Sequence, residues 1–438
     1  MSRVPVIAVF DIGKTNKKFF LIDEQYKIVY EQTEQFAEIA DDEGEPCEDL
    51  QKLTAWVQAT FRTALRMPGF HFRAVNCTTY GASFVHIDAA GYPVCPLYNY
   101  LKPFPRSLQE RFYETYGDEK RFAITTASPV LGSLNSGLQL YRIKYERPDL
   151  YRRIRYSLHL PQYISYLFSK RASADITSLG CHSGLWDFTR NDYHSWVQRE
   201  GVDMKFPPLM ACNATVQADI ERQMILCGGG LHDSSAALIP YLAAFTGPFV
   251  LISTGTWCIS LNPFNHEPLT GAELQQDCLC YLSYDGLPVK ASRLFAGRMH
   301  DDQVKRLAAH FQVSVDHYKN IGYDADNVDA NTTAFDQADL DMHSNYSQAY
   351  HALMQWLVQL QYQCTSLILS GSGVTRIFVD GGFANNPVYM HLLAKAFAGY
   401  EVFAASVSQA TAIGAALAIH SHWNARPVPG DLVSLKYY

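Results

Sequence analysis

The 438-residue sequence lacks several features that would assign it to a class at once. No window holds the roughly 18–20 continuous apolar residues of a membrane-spanning helix. The first apolar run is followed directly by an Asp and by lysines, unlike a secretory leader. Long basic runs are also missing, and Lys plus Arg (36) are outnumbered by Asp plus Glu (43). We therefore expect a cytoplasmic protein that binds neither membranes nor nucleic acids.

Metal-binding and common nucleotide-binding motifs are also missing. The ten cysteines include no C-x-x-C, and the one C-x-C, Cys278 with Cys280, has no nearby histidine pair. Zinc and iron–sulfur sites are thus disfavoured, and buried reduced thiols are expected. The sequence has no G-x-x-x-x-G-K-[ST] and no G-x-G-x-x-G between a strand and a helix, which excludes a P-loop and gives no support to a dinucleotide fold.

What is present is apolar material for large cores. The hydrophobic fraction is 48 %, and the length predicts two domains, which we place at residues 1–246 and 247–438. Unbroken apolar runs predict strands at 6–10, 19–22 and 27–30, joined by tight polar turns. Helical spacing follows at 48–66, and another strand is predicted at 73–78. This order indicates a mixed sheet that begins with a β-meander.

A similar start occurs later in the chain. An apolar run at 249–253 precedes the turn 254–256, and a further strand is predicted at 257–261. We interpret this recurrence as a weak internal repeat of two related domains.

Other segments have simpler readings. The polar stretch 172–186 is typical of a loop near a surface or a site. The acid-rich stretch 324–341 predicts a surface loop. Near the C-terminus a strand is predicted at 376–379 and a tightly packed Ala-rich helix at 409–420. Between them Asn386-Pro387 is typical of a helix start.

Polar turns after strands could present backbone amides to phosphate oxygens. Asp11 follows the first strand, where it either caps the turn or faces Mg²⁺. Lys17 and Lys18 either add positive charge near phosphates or are simply solvated. Asp233 follows a glycine run and either caps the next helix or acts as a general base in phosphoryl transfer.

Four ordered segments carry a resemblance to a known family. FDIGKTNKK, GLHDSSAAL, STGTW and VDGGFANNP followed by QATAIGAALA resemble the signature segments of the FGGY carbohydrate kinases. The resemblance implies an α/β fold with two ribonuclease H-like (actin/hexokinase/Hsp70-like ATPase) domains of βββαβα cores and an ATP cleft between them. It also implies ATP and Mg²⁺ as cofactors and a small-molecule sugar as the other partner, and it leaves a homodimer open.

The same resemblance implies roles for individual residues. Asp233 becomes the catalytic base, and Asp11 with Asp233 becomes the magnesium site. The implied ATP-binding and phosphate-binding residues are Gly13, Thr15, Asn16, Lys18, Thr254, Gly255, Thr256, Gly381, Gly382 and Asn385.

Within the family the sequence looks most like the rhamnulokinase branch, through TTYGASFVHID, LPQYISYLF and LHDSSAA. It departs from that branch in four places. Lys14 replaces a small hydroxyl residue, Lys18 replaces an Arg, Ser83 replaces an acid, and Asn99-Tyr100 replaces Arg-Asp. The candidate sugar-facing residues are Gly81, Ser83, Gln162, Asp175, His232 and Asp233.

We therefore predict an ATP-dependent sugar kinase that phosphorylates a primary hydroxyl of a ketose such as L-rhamnulose or L-fuculose. Two alternatives stay open. One is a kinase for a pentulose or polyol, such as xylulose, ribulose or glycerol. The other is a non-catalytic ATP-binding protein of the same superfamily.

Overall fold

Two mixed β-sheets organise the chain in a computed structural model that describes residues 3–328, 335 and 339–438. In chain order the strands are β1 (Val4–Ile12), β2 (Asn16–Asp23), β3 (Ile28–Gln35), β4 (Ile39–Ala40), β5 (Pro46–Cys47), β6 (Phe70–Thr79), β7 (Phe84–Ile87), β8 (Tyr156–His159), β9 (Trp186–Asp187), β10 (Asp192–Tyr193), β11 (Thr215–Ile220), β12 (Gln223–Gly228), β13 (Leu231–His232), β14 (Phe249–Thr254), β15 (Cys258–Asn262), β16 (Cys278–Leu282), β17 (Pro288–Leu294), β18 (Arg376–Gly381), β19 (Glu401–Ser406) and β20 (Ser434–Tyr437).

The α-helices lie between and around these strands. They are α1 (Leu50–Leu65), α2 (Arg106–Tyr116), α3 (Glu119–Thr126), α4 (Ser136–Glu146), α5 (Pro148–Arg153), α6 (Leu160–Ser169), α7 (Ile176–Leu179), α8 (Ser195–Arg199), α9 (Asp233–Ala244), α10 (Gly271–Gln275), α11 (Ala296–His310), α12 (Tyr346–Ser366), α13 (Pro387–Ala396), α14 (Ala410–Ala418) and α15 (His420–Trp423).

The two large sheets arrange their central strands alike. The first runs β11-β12-β6-β1-β2-β3, with β13 also paired to β6, and the second runs β16-β17-β15-β14-β18-β19-β20. In each sheet an antiparallel meander comes first (β1-β2-β3, then β14-β15-β17), and two strands then add in parallel on the other side (β6 and β12, then β18 and β19). This confirms the predicted internal repeat and the α/β, ribonuclease H-like fold class. The boundary between residues 246 and 247 falls between α9 and β14 and stays a prediction.

Both faces of the first sheet are covered, which explains the unbroken apolar run in β1. Phe10 packs on one face with Phe61 of α1 and Ile164 of α6. Ile7 packs on the opposite face with Ile413 of α14. These β1 side chains have no solvent exposure.

Helices α9 and α14 cross between the two sheets. Helix α14, which comes late in the chain, covers a face of the first sheet, whereas α9 places Leu238 and Tyr241 in the core under the second sheet. The two helices approach closely at Gly414, where a Cβ atom would lie 1.8 Å from the carbonyl oxygen of Ala236. The predicted tight packing of this helix is confirmed, and both helices begin near the end of β1.

Other expectations fare differently. The stretch 172–186 is not a surface loop, because it contains α7 and its polar residues Ser173, Thr177 and Ser183 are buried. The acid-rich stretch 324–341 lies partly outside the described residues, and within the described part Leu340 packs in the core beside the second sheet.

Nine of the ten cysteines are buried, as expected. Among the residues that the structure describes, no helix has the length and apolar character needed to cross a membrane.

Candidate active site

The glycine run before Asp233 is shaped by close backbone contacts. Gly230 has a φ of +80°, and a Cβ there would lie 2.5 Å from the carbonyl oxygen of Pro161. The Gln162 side chain donates to the carbonyls of Gly229 and Gly230 at 3.3 and 3.1 Å. The run therefore leads from β12 into β13 and α9 along one fixed path.

Asp233 is the first residue of α9, and His232 before it occupies the capping position. Its Oδ1 atom accepts hydrogen bonds from the N–H of Ser234 at 2.6 Å and from the Ser234 hydroxyl at 3.3 Å. The side chain is 34 % exposed, and no described residue donates to Oδ2. Asp233 thus has one held oxygen and one accessible oxygen, as a general base requires.

Asp11 lies at the end of β1, in the strand rather than in the turn, and faces the beginning of α14. The Thr411 hydroxyl donates to its Oδ2 at 2.8 Å. Burial raises the pKa of Asp11 from 3.8 to about 6, against the lowering effect of Thr411; the charge of Asp233 raises it further, and Lys18 lowers it. The two predicted carboxylates therefore lie within electrostatic reach of each other.

The beginning of α14 supplies partners that sequence reasoning missed. Besides Thr411, Gln409 accepts a hydrogen bond from Lys18 at 3.0 Å and has a left-handed φ of +51°. Both residues lie in the QATAIGAALA segment that carried the family resemblance. Polar residues at the start of an Ala-rich helix were the signal that could have found them.

We call residues 13–16 the phosphate turn. It is closed by a hydrogen bond from the N–H of Gly13 to the carbonyl of Asn16 at 2.9 Å, and Thr15 is exposed. The Asn16 side-chain oxygen accepts from Gln35 on β3 at 2.8 Å, and the phosphate contact of Asn16 stays a prediction. Lys17 is neither solvated nor free for phosphates, because it is fully buried.

Lys14, which departs from the family pattern, is held by a cluster of its own. Its ammonium pairs with Glu38 at 2.7 Å and lies 5.7 Å from the ring centres of both Tyr80 and Tyr100. Tyr100 is one of the residues that replace the usual Arg-Asp pair. Two of the departures from the family pattern therefore contact each other.

A cavity of about 380 Å³ lies beside the second sheet, within the usual size range of ligand pockets. It brings together five of the predicted nucleotide residues, and Gly381 lies next to it in the chain. The lining residues are Thr254, Gly255, Thr256, Gly297, His300, Asp301, Tyr318, Lys319, Gly382, Phe383, Asn385, Asn386 and Pro387.

Close contacts fix the wall of this cavity. The Thr254 hydroxyl donates to the carbonyl of Asp380 at 2.6 Å and accepts from the N–H of Phe383 at 3.0 Å. Its proton is therefore engaged within the protein, which favours a structural role over the predicted phosphate contact. Gly381 has a φ of +92°, and a Cβ there would lie 2.0 Å from the carbonyl oxygen of Thr254. Gly382 has open space around its Cα atom.

The predicted sugar-facing residues divide into two groups. Gly81 lies against the His232 imidazole, where a Cβ would come within 2.5 Å of Nε2. Ser83 is buried and stays a prediction. Gln162 is buried with its donor bound to loop carbonyls, and Asp175 accepts the N–H groups of Thr177 and Ser178 as the cap of α7. This bonding favours supporting roles for Gln162 and Asp175 over the predicted contacts with a sugar.

His232 connects Asp233 to a buried thiol. Its Nε2 atom lies 3.5 Å from Asp233 Oδ1, and its main-chain N–H donates to the Thr177 hydroxyl at 3.0 Å. Burial alone would lower the pKa of His232, but Cys181 and Asp233 raise it to about 10. Burial alone would likewise raise the pKa of Cys181, but His232 and His182 lower it to about 5. His232 thus lies between the Cys181 thiol and the carboxylate of Asp233.

The site can accommodate a magnesium ion. Mg²⁺ is usually bound by one or two carboxylates together with waters and phosphate oxygens. Asp11, whose ionisation burial disfavours, offers such a carboxylate, and the contact of Asp233 with the metal stays a prediction. No cluster of three or more His, Cys, Asp or Glu side chains with metal-binding geometry occurs in the part of the chain that the structure describes.

Comparisons with known proteins cover nearly the whole chain. The model of the N-terminal domain of the FGGY family of carbohydrate kinases matches residues 6–239, and that of the FGGY C-terminal domain matches residues 246–427. A rhamnulokinase of Halalkalibacterium halodurans is 21 % identical over 262 residues, which are 57 % of this chain and 54 % of that protein. The chain thus spans about half the length of this curated relative.

Solved structures share the fold over most of their length. A carbohydrate kinase from Novosphingobium aromaticivorans superposes with a TM-score of 0.78 at 23 % identity, covering 100 % of this chain and 94 % of that one. A xylulose kinase from Rhodospirillum rubrum superposes with a TM-score of 0.80 at 15 % identity, covering 99 % and 94 %. At these identities the likeness establishes the fold alone.

Proposed function

The chain belongs to the FGGY family of carbohydrate kinases, and we propose that it transfers the terminal phosphoryl group of ATP to a primary hydroxyl of a ketose. The observation that carries this proposal is the pairing of Asp233 with Asp11 where α9 and α14 both begin. One carboxylate is free to take a proton, and the other lies beside a turn that can bind phosphates.

In the proposed reaction the accessible oxygen of Asp233 takes the proton of the sugar hydroxyl as that oxygen attacks the γ-phosphorus. A new O–P bond forms, the bond between the γ-phosphorus and the bridging oxygen breaks, and ADP leaves with the electron pair. Bound Mg²⁺ would neutralise charge on the phosphates, and Asp11 would hold it. Asp233 lies at the N-terminus of α9, where the positive end of the helix dipole meets its carboxylate.

The nucleotide is divided between the two sheets in this proposal. The phosphate turn and Lys18 would contact the phosphates from the first sheet, and Gly255 and Thr256 would do so from the second. The cavity walls at Gly382 and Asn385 would border the adenosine. Approach of the two sheets would exclude water and so limit wasteful hydrolysis of ATP.

We propose L-rhamnulose or L-fuculose as the type of ketose. The curated rhamnulokinase relative and the position of His232 directly before the base support this choice. The substitutions at Ser83 and Asn99-Tyr100 affect the sugar side, so ketoses and polyols should be compared directly. A coupled ADP-release screen over L-rhamnulose, L-fuculose, D-xylulose, D-ribulose and glycerol makes that comparison. Strong turnover with glycerol or a pentulose alone would refute the choice.

Asp233→Asn tests the mechanism. It removes the proton acceptor while keeping the shape of the side chain, so kcat should fall by about 10³-fold or more while ATP affinity changes little. The matched control is Asp149→Asn, which changes a surface carboxylate whose side chain is 88 % exposed. Near-normal turnover of Asp233→Asn would remove this residue from the role of base.

A further inference from the structure

Lys17 is enclosed in the protein interior although its neighbour Lys18 contacts α14. Lys17 has no solvent exposure, and its ammonium donates to Glu48 Oε2 at 2.9 Å. Glu48 is itself only 5 % exposed. Burying an ion pair costs desolvation free energy that the attraction between the charges often fails to recover. Stability alone therefore gives little reason for a lysine at this position.

The second bond of this ammonium indicates what the lysine does. Lys17 Nζ also donates to the carbonyl oxygen of Lys14 at 2.9 Å, within the phosphate turn. In a trans peptide unit the carbonyl and the following N–H point in opposite directions. Holding the Lys14 carbonyl towards the interior thus directs the Thr15 N–H away from it. The structure records no hydrogen bond from the Lys14 or Thr15 amide to any described residue.

Glu48 extends the same network towards the sugar side. It accepts a hydrogen bond from the Tyr80 hydroxyl at 3.4 Å, and the Tyr80 N–H donates to the carbonyl of Ile12 at 3.0 Å. Burial and the charge of Glu48 raise the pKa of Tyr80 well above its usual value, so its phenol remains a donor. Tyr80 directly precedes Gly81, which lies against His232. The buried Lys17–Glu48 pair thereby connects the phosphate turn with the end of β6, where Gly81 contacts His232.

We propose that Lys17 is a positioning residue for ATP: held by Glu48, its ammonium fixes the Lys14 carbonyl so that the amides of the phosphate turn face the phosphates. This rests on the proposed function, because it takes the turn as a phosphate site. Unpartnered amides at a turn are the groups that bind phosphate oxygens. Fixing them before ATP arrives lowers the entropy lost on binding.

The test removes both charges at once. Lys17→Met with Glu48→Gln takes away the ammonium but keeps an amide oxygen that can accept from Tyr80. The matched control is Lys52→Met, because Lys52 is an exposed lysine whose ammonium lies 4.7 Å from the same Phe36 ring that Lys17 approaches at 5.9 Å. Calorimetric titrations of each folded protein with ATP plus Mg²⁺, and separately with adenosine, give the two affinities.

We expect the double variant to bind ATP at least tenfold more weakly and adenosine within twofold of the wild type, with the control unchanged. A double variant that melts cooperatively and binds ATP as tightly as the wild type would overturn the proposal. Equal losses for ATP and adenosine would also overturn it, because they would indicate a general collapse of the pocket. A wild-type chain that binds no ATP would instead refute the proposed function.

A second measurement needs no variant, in case the double variant does not fold. Hydrogen exchange at the Thr15 amide of the wild-type chain should slow about tenfold or more with ATP and Mg²⁺ and stay unchanged with adenosine. Exchange that ATP does not slow would show that this amide does not face the phosphates, and the proposal would fail.

Discussion

Asp11→Asn should stabilise the protein at neutral pH while weakening its catalysis. Burial raises the pKa of Asp11 from 3.8 to about 6. Between these values the folded chain holds a proton that the unfolded chain has released, so ionisation of Asp11 costs folding free energy as pH rises. The raised pKa lowers the free energy of unfolding by about 3 kcal/mol at pH 7.5 and by roughly 0.5 kcal/mol at pH 4. An amide has no such cost, and its oxygen can still accept from Thr411.

Thermal melts of the wild type and the variant across pH 4–7.5 measure this difference. Because a chain of two domains need not unfold in one step, the difference in Tm between the proteins is the quantity to follow. It should grow by several degrees from acid to neutral pH, in favour of Asp11→Asn. The surface variant Asp149→Asn serves as control and should show no comparable trend. Addition of ATP and Mg²⁺ should raise the Tm of the wild type more than that of Asp11→Asn.

A Tm difference that is the same at pH 4 and pH 7.5 would refute this reasoning. It would show that the pKa of Asp11 is the same in the folded and the unfolded chain. Contacts other than Thr411 would then offset its desolvation. Equal stabilisation of both proteins by ATP and Mg²⁺ would separately refute the proposed role of Asp11 at the metal.

Two glycine substitutions test the packing around the site. Gly414→Ala would place a Cβ 1.8 Å from the Ala236 carbonyl oxygen and should lower Tm by several degrees, whereas Gly430→Ala, with nothing within 4 Å, should leave Tm nearly unchanged. Equal melts would contradict the observed helix crossing. Gly81→Ala would push its Cβ to 2.5 Å from the His232 ring, so KM for the sugar in a coupled assay should rise about tenfold with ATP affinity retained. An unchanged KM would place the sugar elsewhere.

The first strand of each large sheet was accessible from sequence because these strands are buried on both faces. Such strands appear as unbroken β-branched and aromatic runs, and the runs at 6–10 and 249–253 each begin a meander. The crossing of α9 and α14 was not accessible, because no local pattern says which sheet a helix covers. Only the small residue at Gly414 hinted at a close approach.

Lys17 shows how a small boundary error hides a functional contact. The sequence reading began the second strand at residue 19 and left both lysines before it, and only the family resemblance singled out Lys18. The strand begins at Asn16, so successive side chains alternate between its two faces. Lys17 then shares the face of Phe19 in the core beneath α1, and Lys18 shares the face of Phe20 beneath α14. Charge alone could not separate them.

Polar residues near the site posed a different problem. Gln162 and Thr254 were predicted to face the sugar and the phosphates because their segments resemble those of the family. In the structure the side chains of both residues donate hydrogen bonds to main-chain carbonyls. Gln162 donates to Gly229 and Gly230, and Thr254 donates to Asp380. A loop carbonyl leaves no mark in the sequence, because every residue has one. Sequence reasoning could therefore select these side chains but not assign their partners.

Buried ion pairs do not by themselves mark a functional position in this protein. Lys102 and Lys290 are also buried and paired, yet among the described residues the ammonium of each hydrogen-bonds only to carboxylate side chains. Lys17 differs because its ammonium also binds a main-chain carbonyl in a turn with unpartnered amides. On the opposite face of the same sheet, Asp11 bears its own desolvation cost. The desolvation costs of Lys17 and Asp11 both arise at the sheet edge where the phosphates would lie. Ligand binding at this edge would offset them.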